Sequence, residues 1–71
     1  MTQQQRILYH LEHFGSITPM EAMNCYGIYR LGARIWDLKH AGNLISTERE
    51  SAVNRYGDMV NYARYRLIKK A

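Results

Sequence analysis

The sequence predicts a small α+β domain in which three helices precede a two-stranded β-hairpin. Apolar residues recur at helical spacing up to Ala41, and the period changes to two after Gly42. Capping residues and glycines stand at each change of element. With 71 residues the chain is expected to form one domain over 1–71, with a core that is small for want of length.

The first helix is expected over about 3–14. Thr2-Gln3-Gln4-Gln5 reads as a capping box, in which the Thr hydroxyl and the Gln5 side chain each satisfy a free amide at the helix start. Ile7, Leu8, Leu11 and Phe14 form its buried stripe, and Gly15 stands where a left-handed cap belongs. Ser16-Ile17 has length only for a short extended link.

Thr18-Pro19-Met20-Glu21 starts the second helix, expected over about 19–25, with Thr18 as N-cap, Pro19 at the first helical position and Glu21 completing the box. Met20, Ala22 and Met23 supply its packing side, and Tyr26-Gly27-Ile28 turns the chain. The third helix is expected over about 29–41, with Leu31, Ile35 and Leu38 on the buried stripe and Gly42 after it. Its opposite face carries Tyr29, Ala33, Trp36 and His40, flanked by Arg30 and Asp37. Two helices joined by a short glycine-containing turn make a helix-turn-helix.

The hairpin is expected over about 43–68. Leu44 to Arg49 alternates, Glu50 to Asp58 is polar with turn chemistry at Arg55-Tyr56-Gly57-Asp58, and Met59 to Ile68 alternates again. Lys69-Lys70-Ala71 reads as a frayed end.

Three helices followed by a hairpin is the order of a winged helix-turn-helix. At residue level the chain resembles the small helix-turn-helix proteins of bacteriophages and prophages. The resemblance lies in Ile17-Thr18-Pro19-Met20-Glu21-Ala22, in Gly27 to Ile35, in Asp37-Leu38-Lys39-His40-Ala41-Gly42 and in Tyr62-Ala63-Arg64-Tyr65-Arg66-Leu67. It implies a DNA-binding protein of a bacterial host's cytoplasm, acting as a small transcriptional regulator or recombination accessory factor. Trp36 departs from the pattern, being bulky where a smaller or polar residue is expected.

Charge points the same way. Arg6 against Glu12 and Glu21 gives residues 1–28 a net of −1, whereas nine bases against four acids give residues 29–71 a net of +5. A basic pole favours a polyanion, because each neutralised phosphate releases counterions. A net charge of this size also serves solubility alone. Five of the six tyrosines lie beyond residue 25, interleaved with arginine.

Candidate groove-facing residues on the third helix are Tyr29, Arg30, Ala33, Arg34 and Asp37. The second helix of such a motif enters the major groove, where arginine pairs with guanine O6 and N7, and Gly32 and Ala33 would let the backbone approach closely. Arg34 has a second reading, an ion pair with Glu12 or Glu21 that fixes helix packing. Arg49 and Arg55 bracket the hairpin tip and are expected on phosphates or in the minor groove, although Arg49 could equally pair across the strands. Arg64 and Arg66 point outward and would keep the strand from pairing with other chains.

Other chemistries find little support. The longest apolar run is three residues, Ile7-Leu8-Tyr9, which excludes a membrane span and a signal core. Cys25 stands alone, so no internal disulfide forms, and a lone buried thiol fits a reducing cytosol. His10 and His13 share a helix face but have no further ligand pair at zinc spacing, and read as surface imidazoles with no metal. No glycine-rich phosphate loop, paired carboxylates or activated nucleophile is present, so neither an enzyme nor a cofactor or small-molecule substrate is expected. The partner expected is double-stranded DNA. One domain reads few base pairs, so a homodimer, tandem sites or a protein partner would add specificity. The rival expectation is a protein-binding winged helix, such as a phage-encoded inhibitor of a host protein, because Trp36 and the tyrosines are of types enriched at interfaces.

Overall fold

A computed structural model describes residues 1–71. The order is α1 (Gln3–Phe14), β1 (Ser16–Ile17), α2 (Pro19–Tyr26), α3 (Leu31–His40), β2 (Leu44–Val53) and β3 (Met59–Lys69). It is an α+β fold of three helices followed by an antiparallel hairpin. Both capping boxes form: the Thr2 hydroxyl accepts from Gln5 N–H while Gln5 Oε1 accepts from Thr2 N–H, and Thr18 and Glu21 repeat the exchange. Gly15 and Gly27 close α1 and α2 at φ 83° and 65°, a left-handed conformation that glycine adopts without a Cβ clash.

Two expected boundaries shift. Tyr29 and Arg30 lie in the turn before α3, which begins at Leu31. Ala41 caps that helix, with Gly42 beyond it at φ 103°. The strands also run further toward the tip than the alternation indicated, because Glu50 to Val53 still pair with Tyr62 to Met59. Polar and small residues on a solvent-exposed ladder hide the period that a buried face would display.

The sheet has the order β1-β3-β2 and is antiparallel throughout. The expected link Ser16-Ile17 is its third strand, pairing with Arg66 and Tyr65. β3 is therefore central where the helices lie, and beyond Tyr65 the hairpin continues as a two-stranded ribbon. The molecule measures 40 × 22 × 20 Å, its long axis nearly twice the others.

The core comprises Ile7, Leu11, Ile17, Ala22, Ile28, Leu31, Ile35, Leu38 and Ile45, with Leu8, Tyr26, Tyr65 and Leu67 packed around it. Every helix, β1 and β2 contribute to these nine, and Tyr65 and Leu67 of β3 pack against them, so the hairpin base is locked to the body. Phe14, expected on the buried stripe, is exposed and leans on the His10 ring at 4.6 Å. His10 takes the interior place instead, 5% exposed and not a surface imidazole. Its Nδ1 lies 2.8 Å from the Tyr26 hydroxyl. Burial raises the Tyr26 phenol above its ordinary value. Desolvation in turn pushes the imidazole below its usual value, against a weaker opposing pull from Glu21.

Several side chains depart from expectation. Cys25 is exposed rather than buried. Met20 is also exposed, leaving Ala22 as the fully buried residue of α2. The C-terminal residues are tied down instead of frayed: Lys70 Nζ pairs with Glu12 at 3.0 Å, and Ala71 N–H donates to Asn43 Oδ1. Asn43 is itself buried and donates from Nδ2 to the Leu38 carbonyl, so one amide joins the end of α3 to the C-terminus. No helix is long and apolar enough to cross a membrane.

Candidate nucleic-acid interface

The exposed surface of α3 and one face of the ribbon lie on the same side of the molecule. Directly opposed residues of an antiparallel pair share a face. Thr47, Arg49, Ser51 and Val53 of β2 therefore share one with Tyr65, Ala63, Asn61 and Met59 of β3. This face turns toward α3, since the Tyr65 hydroxyl lies 3.7 Å from the point where a Cβ on Gly32 would sit.

α3 differs from α1 and α2 at its start. Arg30 occupies the N-cap position without any side-chain cap. No side chain therefore caps the first amides of α3, where the helix dipole favours an anion, and Ala33 N–H donates to the Arg30 carbonyl instead. Arg30 and Tyr29 are exposed beside them, Tyr29 at 82%. Further along the helix, Trp36 is 58% exposed and stacks on His40 with ring centroids 3.5 Å apart. His40 Nδ1 lies 2.9 Å from the Trp36 carbonyl, which holds the stack in place.

The five residues expected on this helix fall into two groups. Tyr29 and Arg30 project from the turn at the helix start. Ala33, Arg34 and Asp37 are half-buried along the flank of α3. Arg34 pairs with neither Glu12 nor Glu21; its Nε is 3.1 Å from Asp37 Oδ2 and its NH1 donates to Gln3 of α1 at 3.5 Å. Asp37 sits one turn along the same helix, closer than either glutamate, and takes the pair. Lys39, not singled out by sequence reasoning, is exposed in the last turn and makes no ion pair.

On the wing, Arg49 stands in mid-ladder opposite Ala63 and does not bracket the tip. It forms no cross-strand ion pair and is exposed. Arg55 lies in the turn, also exposed and unpaired. The turn is rigid: Asn54 Oδ1 accepts from the N–H groups of Tyr56 and Asp58, and Asn54 N–H donates to the Asp58 carbonyl. Gly57 completes it at φ 84°.

The opposite ribbon face is neutralised. Arg64 reaches Glu50 at 2.9 Å, Glu21 of α2 at 3.7 Å and the Ser16 hydroxyl at 3.0 Å. Its guanidinium holds the Glu50 carboxyl below the ordinary range. Arg66 pairs with Glu48 at 3.2 Å. These arginines thus cross-link strands and α2, where an edge-protecting role was expected, because β3 is flanked on both sides at Arg66. An open groove of about 500 Å³ lies on this side, lined by Pro19, Met20, Ala52, Val60, Tyr62 and Arg64 among others.

The pairing partitions the charge. Glu12, Glu21, Asp37, Glu48 and Glu50 all have cationic partners, leaving Asp58 as the one unpaired carboxylate. Arg6, Arg30, Lys39, Arg49, Arg55 and Lys69 are unpaired cations. Four of these six belong to α3, its leading turn and the wing. No group of three His, Cys, Asp or Glu side chains has metal-site geometry.

No curated protein and no solved structure matches the chain. A family model for the winged helix-turn-helix domain matches residues 2–70, nearly the full length. Helix order, sheet order and sequence match agree, and the chain belongs to the winged helix-turn-helix domain family.

Proposed function

We propose that this chain is a sequence-specific double-stranded DNA-binding protein, acting as a small transcriptional regulator or recombination accessory factor of the phage or prophage type. α3 enters the major groove with Arg30 and Tyr29 leading. The open helix start and Lys39 engage phosphates, and Arg49 and Arg55 hold the wing on the backbone or in the minor groove. Ala33 and Asp37 border the contact, and Arg34 braces α3 against α1. The observation that carries this reading is the partition of charge, in which nearly every carboxylate is paired while Arg30, Lys39, Arg49 and Arg55 stay free. Free cations around one helix and one ribbon supply the kind of phosphate contact that fixes the register of a protein on a duplex.

Selection of bound duplexes from a random pool, followed by salt titration on the recovered site, tests the proposal. Affinity should fall steeply with salt, and Arg49→Ala and Arg55→Ala should each flatten the log–log slope by about one. If no duplex of any sequence binds at low salt, the proposal fails. The Trp36–His40 stack favours a second reading, a protein-binding module such as an inhibitor of a host protein. Recovery of a partner from host lysate that survives nuclease and is lost with Trp36→Ala would support that reading instead.

A further inference from the structure

The wing ends in apolar residues that no part of the chain covers. Val53 and Met59 are directly opposed in the last pair of the ladder, 66% and 70% exposed, and Tyr56 in the turn is exposed as well. Phosphate contact needs cations and hydrogen-bond donors, so Val and Met at the far end of a phosphate-gripping ribbon have no role in it. Both side chains lie on the ribbon face that turns toward α3, the face that also carries Arg49.

Reach and rigidity bear on what these residues meet. From Thr47–Tyr65, the pair level with Gly32 of α3, to Val53–Met59 is six residues, or about 20 Å at roughly 3.3 Å per residue. One turn of B-DNA is about 34–36 Å, so the minor groove beside an occupied major groove lies about 17 Å along the axis. The ribbon has the length to bring its tip there while α3 lies in the major groove. The hydrogen bonds of Asn54 hold the turn in one conformation, which reduces the ordering cost of insertion. Charge is complementary, with Arg55 and Arg49 free along the wing against the single carboxylate of Asp58.

We infer that the tip of the wing is a DNA-bending wedge: Val53 and Met59 press into the minor groove and open a base step there, while Arg55 and Arg49 hold the flanking phosphates. Apolar side chains of this kind unstack base steps and kink a duplex by roughly 20–90° toward the major groove. The favoured position is a flexible pyrimidine–purine step, where opening costs least. The inference rests on the DNA-binding reading above and adds to it a deformation of the bound duplex.

The test uses the full chain and a duplex of about 20 base pairs that carries the selected site at its centre, with donor and acceptor dyes at its two ends, about 68 Å apart when the duplex is straight. Binding is read by anisotropy and bending by energy transfer in the same samples. The wild type should raise energy transfer on binding. Val53→Ser combined with Met59→Ser should abolish that rise while keeping low-salt affinity within about tenfold. Both residues are exposed and outside the core, and far-ultraviolet dichroism verifies that the double variant is folded. Binding by the wild type with unchanged energy transfer would overturn the wedge and leave the DNA-binding reading intact, as would a double variant that bends the duplex like the wild type. Absence of wild-type binding to any duplex would overturn both.

Discussion

The helical body and the wing are built by different means. The body buries nine apolar residues, opens α1 and α2 with capping boxes and satisfies buried His10 and Asn43 with specific partners. Beyond Tyr65 and Thr47 the wing buries nothing fully and is held by ladder hydrogen bonds, by cross-strand ion pairs on one face and by the reach of Arg64 to Glu21 and Ser16. Hydrophobic burial dominates folding free energy, and exposed ion pairs contribute about 0–1 kcal/mol each. The body therefore supplies nearly all the stability. The wing, relieved of that duty, carries free cations and uncovered apolar residues.

Substitution by size should expose the contrast most sharply. Ile17 is fully buried in β1, and Ile17→Ala is expected to cost about 2–5 kcal/mol, a large share of the stability of so small a domain. Val53→Ala removes a similar kind of side chain from the exposed tip and should stay within about 0.5 kcal/mol. Urea denaturation of both variants checks the pair. Equal losses would mean that Val53 is packed as tightly as Ile17 and that the tip is not an uncovered surface.

A smaller effect should come from pH, and it too belongs to the body. Burial keeps the His10 imidazole below its usual value. As pH falls through about 6.5 the unfolded chain takes up a proton that the native state resists. Stability is then present above that value and lost on acidification toward the lower native one. Urea midpoints at pH 7.5 and pH 5.5 should show the decline, and His10→Gln should flatten it.

The smallest expected change sits where body and wing meet. A Cβ on Gly32 would make ordinary contact with the Tyr65 hydroxyl at 3.7 Å. Gly32→Ala should therefore stabilise α3 by about 0.5–1 kcal/mol, raising Tm by several degrees. If the α3 backbone approaches DNA at Gly32, the same variant binds a selected duplex more weakly. A rise in Tm with unchanged affinity would move the close contact elsewhere on the helix.

Local chemistry was legible where it is self-contained. Thr2 with Gln5, Thr18 with Glu21, and glycine after α1 and α2 are each decided within four or five residues, so reading along the chain suffices. Contacts between distant segments left no such trace. Ser16 and Ile17 become a strand only because Arg66 and Tyr65 offer an edge. Phe14 and His10 exchange places because the Tyr26 hydroxyl gives the imidazole a partner inside. Arg64 reaches Glu21, a residue 43 positions away, and nothing in the spacing points to it.

The candidate site divides along the same line. That bases concentrate in residues 29–71 is a property of the sequence alone. Which of them remain free was decided mainly by the tertiary structure: Arg64 and Arg66 are taken up by carboxylates of other elements, Arg34 by Asp37 one turn along its own helix, and Arg30, Lys39, Arg49 and Arg55 are left. The physical reason is range. Capping and periodicity act over a few residues of backbone, but the partner of a long charged side chain is whichever carboxylate the fold brings within 4 Å.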